Sequence, residues 1–195
     1  QSYLVVELVE GNTLRDQIRA HGAMPWREAF RLGALIADAL IHIHDGQIIH
    51  RDLKSANILL TGNERKIPKV TDFGLAHWSG ATVMTQTGKL LGTIPYMPPE
   101  QVGGGRASPA WDLYSLGVII YEMLTGKLPF QADDTLKLLS LIVSRPAPRP
   151  SSEIQGLPPI VDEIMSRMIA KSWNHRFPNG EALRNALFAA LKEND

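Results

Sequence analysis

Four side chains have the types and the spacing to handle a phosphate. Asp52, Lys54 and Asn57 stand within one short stretch, and Asp72 follows in the run TDFGLA. An Asp carboxylate and an Asn carbonyl are the hard oxygen ligands that Mg2+ takes, which suits Asp72 and Asn57. A second carboxylate, Asp52, can orient an attacking hydroxyl and accept its proton. Lys54 can carry positive charge to a transferring phosphoryl group. Arg51 can pair its planar fork with an anion brought by another segment. A lone Asp would more simply be a helix cap or a surface carboxylate. The coincidence of Asp52 with Lys54, Asn57 and Asp72 outweighs that reading and points to phosphoryl transfer.

The elements around these residues must hold them still. Residues 48–60, IIHRDLKSANILL, place the polar groups between two apolar runs, Ile48-Ile49 and Ile58-Leu59-Leu60. Such flanks predict a loop with buried anchors, since an ordinary surface turn would be richer in Gly and Pro. Upstream, Thr13–Ala20 and Pro25–His44 carry apolar residues at helical spacing, among them Phe30, Ile36, Leu40 and Ile43. Two short β-type runs follow the loop, at Asn57–Leu60 and Ile67–Thr71. A long irregular stretch then runs to Glu100, of a length usually reserved for function. Ser108 can cap a helix with Pro109 at its first position, an apolar interior through Leu124 and Gly126 to end it. Trp111, Tyr114, Tyr121 and Met123 at helical spacing read as core. Later helices are expected at Asp134–Ser144, Pro159–Ala170 and Asn179–Leu191. The architecture is mostly helical, with a small β element beside the polar loop.

Composition excludes several classes. The 195 residues are 44% hydrophobic and can bury one sizeable core. Twenty Lys plus Arg balance twenty Asp plus Glu, so there is no basic field to draw a nucleic-acid backbone. There is no Cys, which removes disulfides, thiolate chemistry and Cys-built zinc sites and agrees with a reducing compartment. The longest apolar windows are interrupted well short of the ~20 residues of a membrane span. With no signal peptide in view, a cytoplasmic location is expected. The chain opens on Gln1 and directly on the strand-like SYLVVELVEG, which reads as a fragment.

The motifs resemble those of the protein kinases. HRDLKSAN at 50–57 looks like the catalytic loop and DFG at 72–74 like the metal-binding motif. GTIPYMPPE at 92–100 is similar to the segment that closes the activation loop, with Pro98-Pro99-Glu100 where Ala-Pro-Glu is more usual. WDLYSLGVIIYEMLTGKLPF at 111–130 resembles the central buried helix of the lower lobe. Arg176, in NHRF, matches the Arg that pairs with the Glu of the closing motif. Five elements in order make chance agreement remote. Lys54 points to Ser/Thr specificity, and the style of YLVVELVEGNTLRDQI and of TQT at 85–87 is most like the bacterial eukaryotic-like (Hanks-type) kinases.

The resemblance implies an α+β, protein-kinase-like fold: a mostly helical C-terminal lobe with a small β element at the cleft, the N-terminal lobe largely absent. Residues 1–12 would be the last strand of that upper lobe and the hinge, with Val6 the gatekeeper. Residues 13–195 would be the lower lobe, with the catalytic loop at 48–60 and the activation segment at 72–100. The implied activity is transfer of the ATP γ-phosphate to Ser or Thr of protein substrates, with Mg2+ or Mn2+. Asp52 would be the base and Lys54 the charge on the phosphoryl group; Asn57 and Asp72 would hold metal. Glu7, Val9 and Leu59 would join Lys54, Asn57 and Asp72 in holding nucleotide. Arg51, Thr85, Thr87 and Thr93 would be regulatory. His50, Glu100, Asp112 and Arg176 would be structural, Asp112 holding the catalytic-loop backbone from below. The glycine-rich loop, strand Lys and helix Glu of a complete kinase do not occur here, so residues 1–195 alone are expected to be inactive. A silent pseudokinase-like scaffold, a bare interaction fragment and, less favoured, a small-molecule phosphotransferase of kinase-like fold stay open as alternatives.

Overall fold

The computed structural model describes residues 7–62, 66–72 and 92–193. A two-residue strand β1 (Asn12–Thr13) leads straight into helix α1 (Leu14–His21). Thr13 starts that helix through a reciprocal capping box: its hydroxyl accepts from the Asp16 N–H at 3.1 Å, and Asp16 accepts from the Thr13 N–H at 3.3 Å. The long α2 (Trp26–Asp45) is preceded by Pro25, which takes the N-cap position. Strands β2 (Ile58–Thr61) and β3 (Ile67–Val70) complete a three-stranded antiparallel sheet in the order β1-β2-β3. Thr13 pairs with Leu59 and Leu59 with Lys69, so the sheet is anchored to the chain just after the polar loop.

Within the stretch read as irregular, one helical turn, α3 (Pro99–Val102), forms with Pro99 at its first position. Next come α4 (Pro109–Thr125), α5 (Thr135–Ser144), α6 (Pro159–Met168) and α7 (Gly180–Glu193). Every residue of α4 from Trp111 to Thr125 is buried, which explains why its sequence is apolar nearly all round. Helices α2 and α6 pack against it, and α7 packs on α2. Gly117 lets α6 approach: a Cβ there would stand 2.9 Å from Met168 Cβ and Ile169 Cγ2. Gly126 ends α4 in the left-handed region at φ 71°, a conformation cheap only for glycine. The start of α4 differs from expectation. Ser108 occupies the N-cap, but its hydroxyl makes no capping bond, and its backbone carbonyl accepts from the Trp111 N–H at 3.0 Å.

A second, smaller core gathers Ile94, Phe130, Leu138 and Ile142, with Met97 and Val102 packed on it. It ties α5 to the segment 92–102. No helix among the described residues is long and apolar enough to cross a membrane.

Candidate active site

The polar loop is held from both sides of its backbone. Leu53 and Ile58 are buried in the main core, and they fix the two ends of the 52–57 stretch. Below it, the buried Asp112 carboxylate of α4 accepts from the His50 N–H at 2.9 Å and the Arg51 N–H at 3.0 Å. Its Oδ2 also meets His44 Nε2 at 2.8 Å. Arg51 has φ 66°, a left-handed conformation that costs a non-glycine residue about 1–3 kcal/mol unless its surroundings hold it. Two charge-assisted bonds to consecutive amides are such a hold. Asp72 shares the conformation, at φ 59°.

The residues just before Asp72 are stitched to the same loop. Thr71 N–H donates to the Asn57 carbonyl at 2.9 Å, and His50 Nε2 meets the Thr71 carbonyl at 2.8 Å. Nε2 is therefore the protonated nitrogen of His50, which leaves Nδ1 to accept from the Asp52 N–H at 3.4 Å. The buried imidazole is a strut between the Asp52 and Asp72 segments.

Asp52, Lys54 and Thr93 form a closed triangle. Lys54 Nζ donates to Asp52 Oδ2 at 2.7 Å and to Thr93 Oγ1 at 2.9 Å, and the Thr93 hydroxyl donates to Asp52 Oδ1 at 2.8 Å. The carboxylate is thus oriented through both oxygens. Asn57 donates from Nδ2 to the Asp52 backbone carbonyl at 2.8 Å. That bond commits the amide nitrogen and leaves the amide oxygen as the ligating end, the donor a hard divalent cation takes. Asp72 is exposed, so its carboxylate is open to solvent and ligand. No group of three or more His, Asp or Glu is gathered as a metal cage among the described residues. Mg2+ on a polyphosphate takes oxygen donors of this kind together with phosphate oxygens and water, and the donor types of Asn57 and Asp72 fit it.

The remaining expected residues fall around this centre. Arg51 buries its Nε with no hydrogen-bond partner among the described residues. Glu7 is exposed and pairs with Lys69 of β3 at 2.7 Å; Val9 and Leu59 are half-buried. Farther off, Arg176 binds Glu100 bidentately at 2.7 and 2.8 Å, with its guanidinium 4.7 Å from the Tyr114 ring centroid. Val6, Thr85 and Thr87 lie outside the described residues.

Two features escaped sequence reasoning. One is His44 on Asp112. The other is a buried chain behind the loop: the Ser55 hydroxyl meets Tyr96 Oη at 2.9 Å, and Tyr96 donates to Glu122 Oε2 at 2.7 Å. Burial raises the Glu122 carboxyl above its ordinary value, and burial together with the nearby Glu122 charge pushes the Tyr96 phenol far above its own. A Glu within the apolar run YSLGVIIYEML was the available signal for the second feature.

The buried-anchored loop thus carries Asp52, Lys54 and Asn57, with Thr93 brought to it from the 92–102 segment and Asp72 carried at the end of the segment stitched to it. The family described as protein kinase domain matches residues 1–188, and the chain belongs to it, with the bacterial Hanks-type Ser/Thr kinases as relatives. The chain is 37% identical over 191 residues to the serine/threonine-protein kinase PknL of Mycobacterium tuberculosis, covering 98% of this chain and 47% of that protein. It is 36% identical over 181 residues to PrkC of Bacillus subtilis, covering 92% of this chain and 27% of that protein. The chain therefore spans less than half the length of either. Among solved structures, the Rad53 kinase domain with SCD2 in complex with AMPPNP superposes with a TM-score of 0.73 at 26% identity, over 92% of this chain and 65% of that one.

Proposed function

We propose that the protein transfers the γ-phosphoryl group of ATP to Ser and Thr hydroxyls of protein substrates, with Asp52 as the proton acceptor. The observation that carries this is the Asp52–Lys54–Thr93 triangle beside Asn57. In the transfer, the substrate oxygen forms a bond to phosphorus, the bond from phosphorus to the ADP oxygen breaks, and the hydroxyl proton passes to the Asp52 carboxylate. Lys54 shifts charge toward the transferring group, and Thr93 keeps the carboxylate turned. Catalysis of a loose phosphoryl transition state is almost wholly positioning and charge stabilisation, which explains why this loop is clamped by Asp112 and His50. Asn57 and Asp72 would hold Mg2+, which when bound neutralises the polyphosphate charge. Glu7, Val9 and Leu59 would border the nucleotide. The AMPPNP held by the Rad53 kinase domain supports the nucleotide assignment. The orphaned Arg51 Nε supports an anion partner for Arg51, which phosphorylated Thr85 or Thr87 would supply.

The experiment separates the two carboxylates in the intact protein. Asp52→Asn abolishes turnover with nucleotide binding largely kept, whereas Asp72→Ala also weakens Mg-dependent ATP binding in calorimetric titrations. Near-normal turnover in Asp52→Asn would overturn the assignment of the base.

A further inference from the structure

Helix α5 is the least anchored long element of the described fold. Of its residues only Leu138 and Ile142 are buried, while Leu136 and Val143 face solvent. Its N-terminus is capped by Asp134, which accepts from the Lys137 N–H at 2.8 Å, but its last turn carries no basic residue of its own to answer the exposed carbonyls. A donor for them arrives from elsewhere. Lys171 Nζ donates to the Ile142 carbonyl and reaches the Leu141 carbonyl at 3.4 Å, with its ammonium 4.0 Å from the centroid of the Phe130 ring. Phe130 and Ile142 belong to the small core that holds Ile94, and Ile94 adjoins Thr93 of the Asp52 triangle.

Lys171 and Arg176 share one short loop. Arg176 Nη2 donates to the Lys171 backbone carbonyl at 3.2 Å while its two Nη atoms grip Glu100 on α3. This loop thus takes hold of the 92–102 segment at two places: through Glu100 directly, and through α5 by way of Lys171.

We infer that Lys171 is a positioning residue for the 92–102 segment: by closing the C-terminus of α5 it holds that helix, and with it Ile94 and Thr93, in register with Asp52. The contact rests on geometry alone, whereas its consequence for turnover rests on the phosphotransfer reading above.

The electrostatics supply a readout specific to this contact. Burial first, and the Arg176 guanidinium second, pull the Lys171 amine down to about 8 from its ordinary 10.5. Arg176 is the charge facing it from its own loop, and Glu100 of α3 is taken up by that guanidinium. From α5 come carbonyl oxygens and from the 127–134 stretch the Phe130 ring; no carboxylate among the described residues pairs with the amine. A base whose value is lowered on docking disfavours docking while it is charged, so the tether tightens as pH rises. The neutral amine still donates to the carbonyls. With about 8 docked and 10.5 released, docking strengthens about tenfold between pH 7 and pH 9.

The test is amide hydrogen exchange of residues 139–144 in the intact protein, with α4 and α7 amides as internal references for the intrinsic effect of pH. Wild type should gain about tenfold relative protection from pH 7 to pH 9. Lys171→Arg, which keeps donors and never deprotonates, should lose that rise. Lys171→Met, which keeps the apolar stem but orphans the Ile142 carbonyl, should be flat and about tenfold less protected than wild type at pH 9. In steady-state assays Lys171→Met should lower kcat and leave KM for ATP unchanged. A flat wild-type profile, a Met variant protected like wild type at pH 9, or an unaltered kcat would each overturn the inference. Absence of turnover in wild type would instead remove the phosphotransfer reading, and the exchange profile would still decide the tether.

Discussion

Removal of the Asp112 carboxylate should unfasten the loop that carries Asp52. In Asp112→Ala the His50 and Arg51 amides lose their acceptor, and His44 loses its partner. A buried donor left unsatisfied costs about 1–3 kcal/mol, so two amides alone set about 2–6 kcal/mol, and water entering the vacated space brings the expected loss toward the lower half of that range. Asp112→Asn keeps one acceptor oxygen and turns an NH2 toward the other amide, so about half of the loss is expected. The measurement is urea unfolding of the intact protein followed by tryptophan fluorescence, for which the buried Trp111 adjoins the change. The midpoint should fall with the slope unchanged, since the surface exposed on unfolding is the same. Turnover should fall further than stability requires. Arg51 is then free to leave its left-handed conformation, and a displacement of about 1 Å at Asp52 costs on the order of 10²-fold. An Ala variant within about 0.5 kcal/mol of wild type would show that the clamp is not what holds the loop, and the reasoning from Asp112 to Asp52 would fail with it.

Three further outcomes are expected. The raised Glu122 carboxyl makes folding favour its protonated form, so its contribution to stability is fully present below the ordinary carboxylate value and fades as pH climbs through the raised one; Glu122→Gln, which still accepts from Tyr96, should remove that decline in denaturant titrations across pH, and an unaltered decline would refute the assignment. Mass spectrometry of the active protein should find phosphate at Thr85 or Thr87, and replacing both with Ala should lower activity substantially; equal activity would remove the proposed partner of Arg51. Residues 1–195 contain no G-x-G-x-x-G run, and expressed alone they should show no phosphate transfer from labelled ATP to a generic basic protein; transfer that vanishes in the Asp72→Ala control would refute this.

What the chain announces in its own order is what neighbours in sequence decide. Pro109 at the head of α4 and Gly126 at its end act within a turn of themselves, and the helix bounds read from them lie within a few residues of those observed. The Asp52, Lys54 and Asn57 cluster was legible for the same reason, since three chemical groups crowd one short apolar-flanked stretch. Strand β1 was not legible as a separate element: Asn12 and Thr13 have no β pattern of their own and become a strand only because Leu59 and Leu60 offer them a partner. The short α3 turn was likewise hidden, because its four residues, PEQV, carry no periodicity to detect. Polar contacts across long separations leave still less trace. His44 meets Asp112 across 68 residues. Residue type gives one hint: Glu122 in the middle of an apolar helix has to find a donor or lose its charge, so such a residue announces a buried network without naming its members. Lys171 gives no hint at all. It stands in a polar loop, AKSWNHRF, where a solvated lysine is unremarkable, and only the arrival of the Ile142 carbonyl from 29 residues upstream makes it a cap. The site is therefore written locally in its reactive groups and non-locally in the contacts that hold them still, and the second half becomes readable once α4 and α5 are placed.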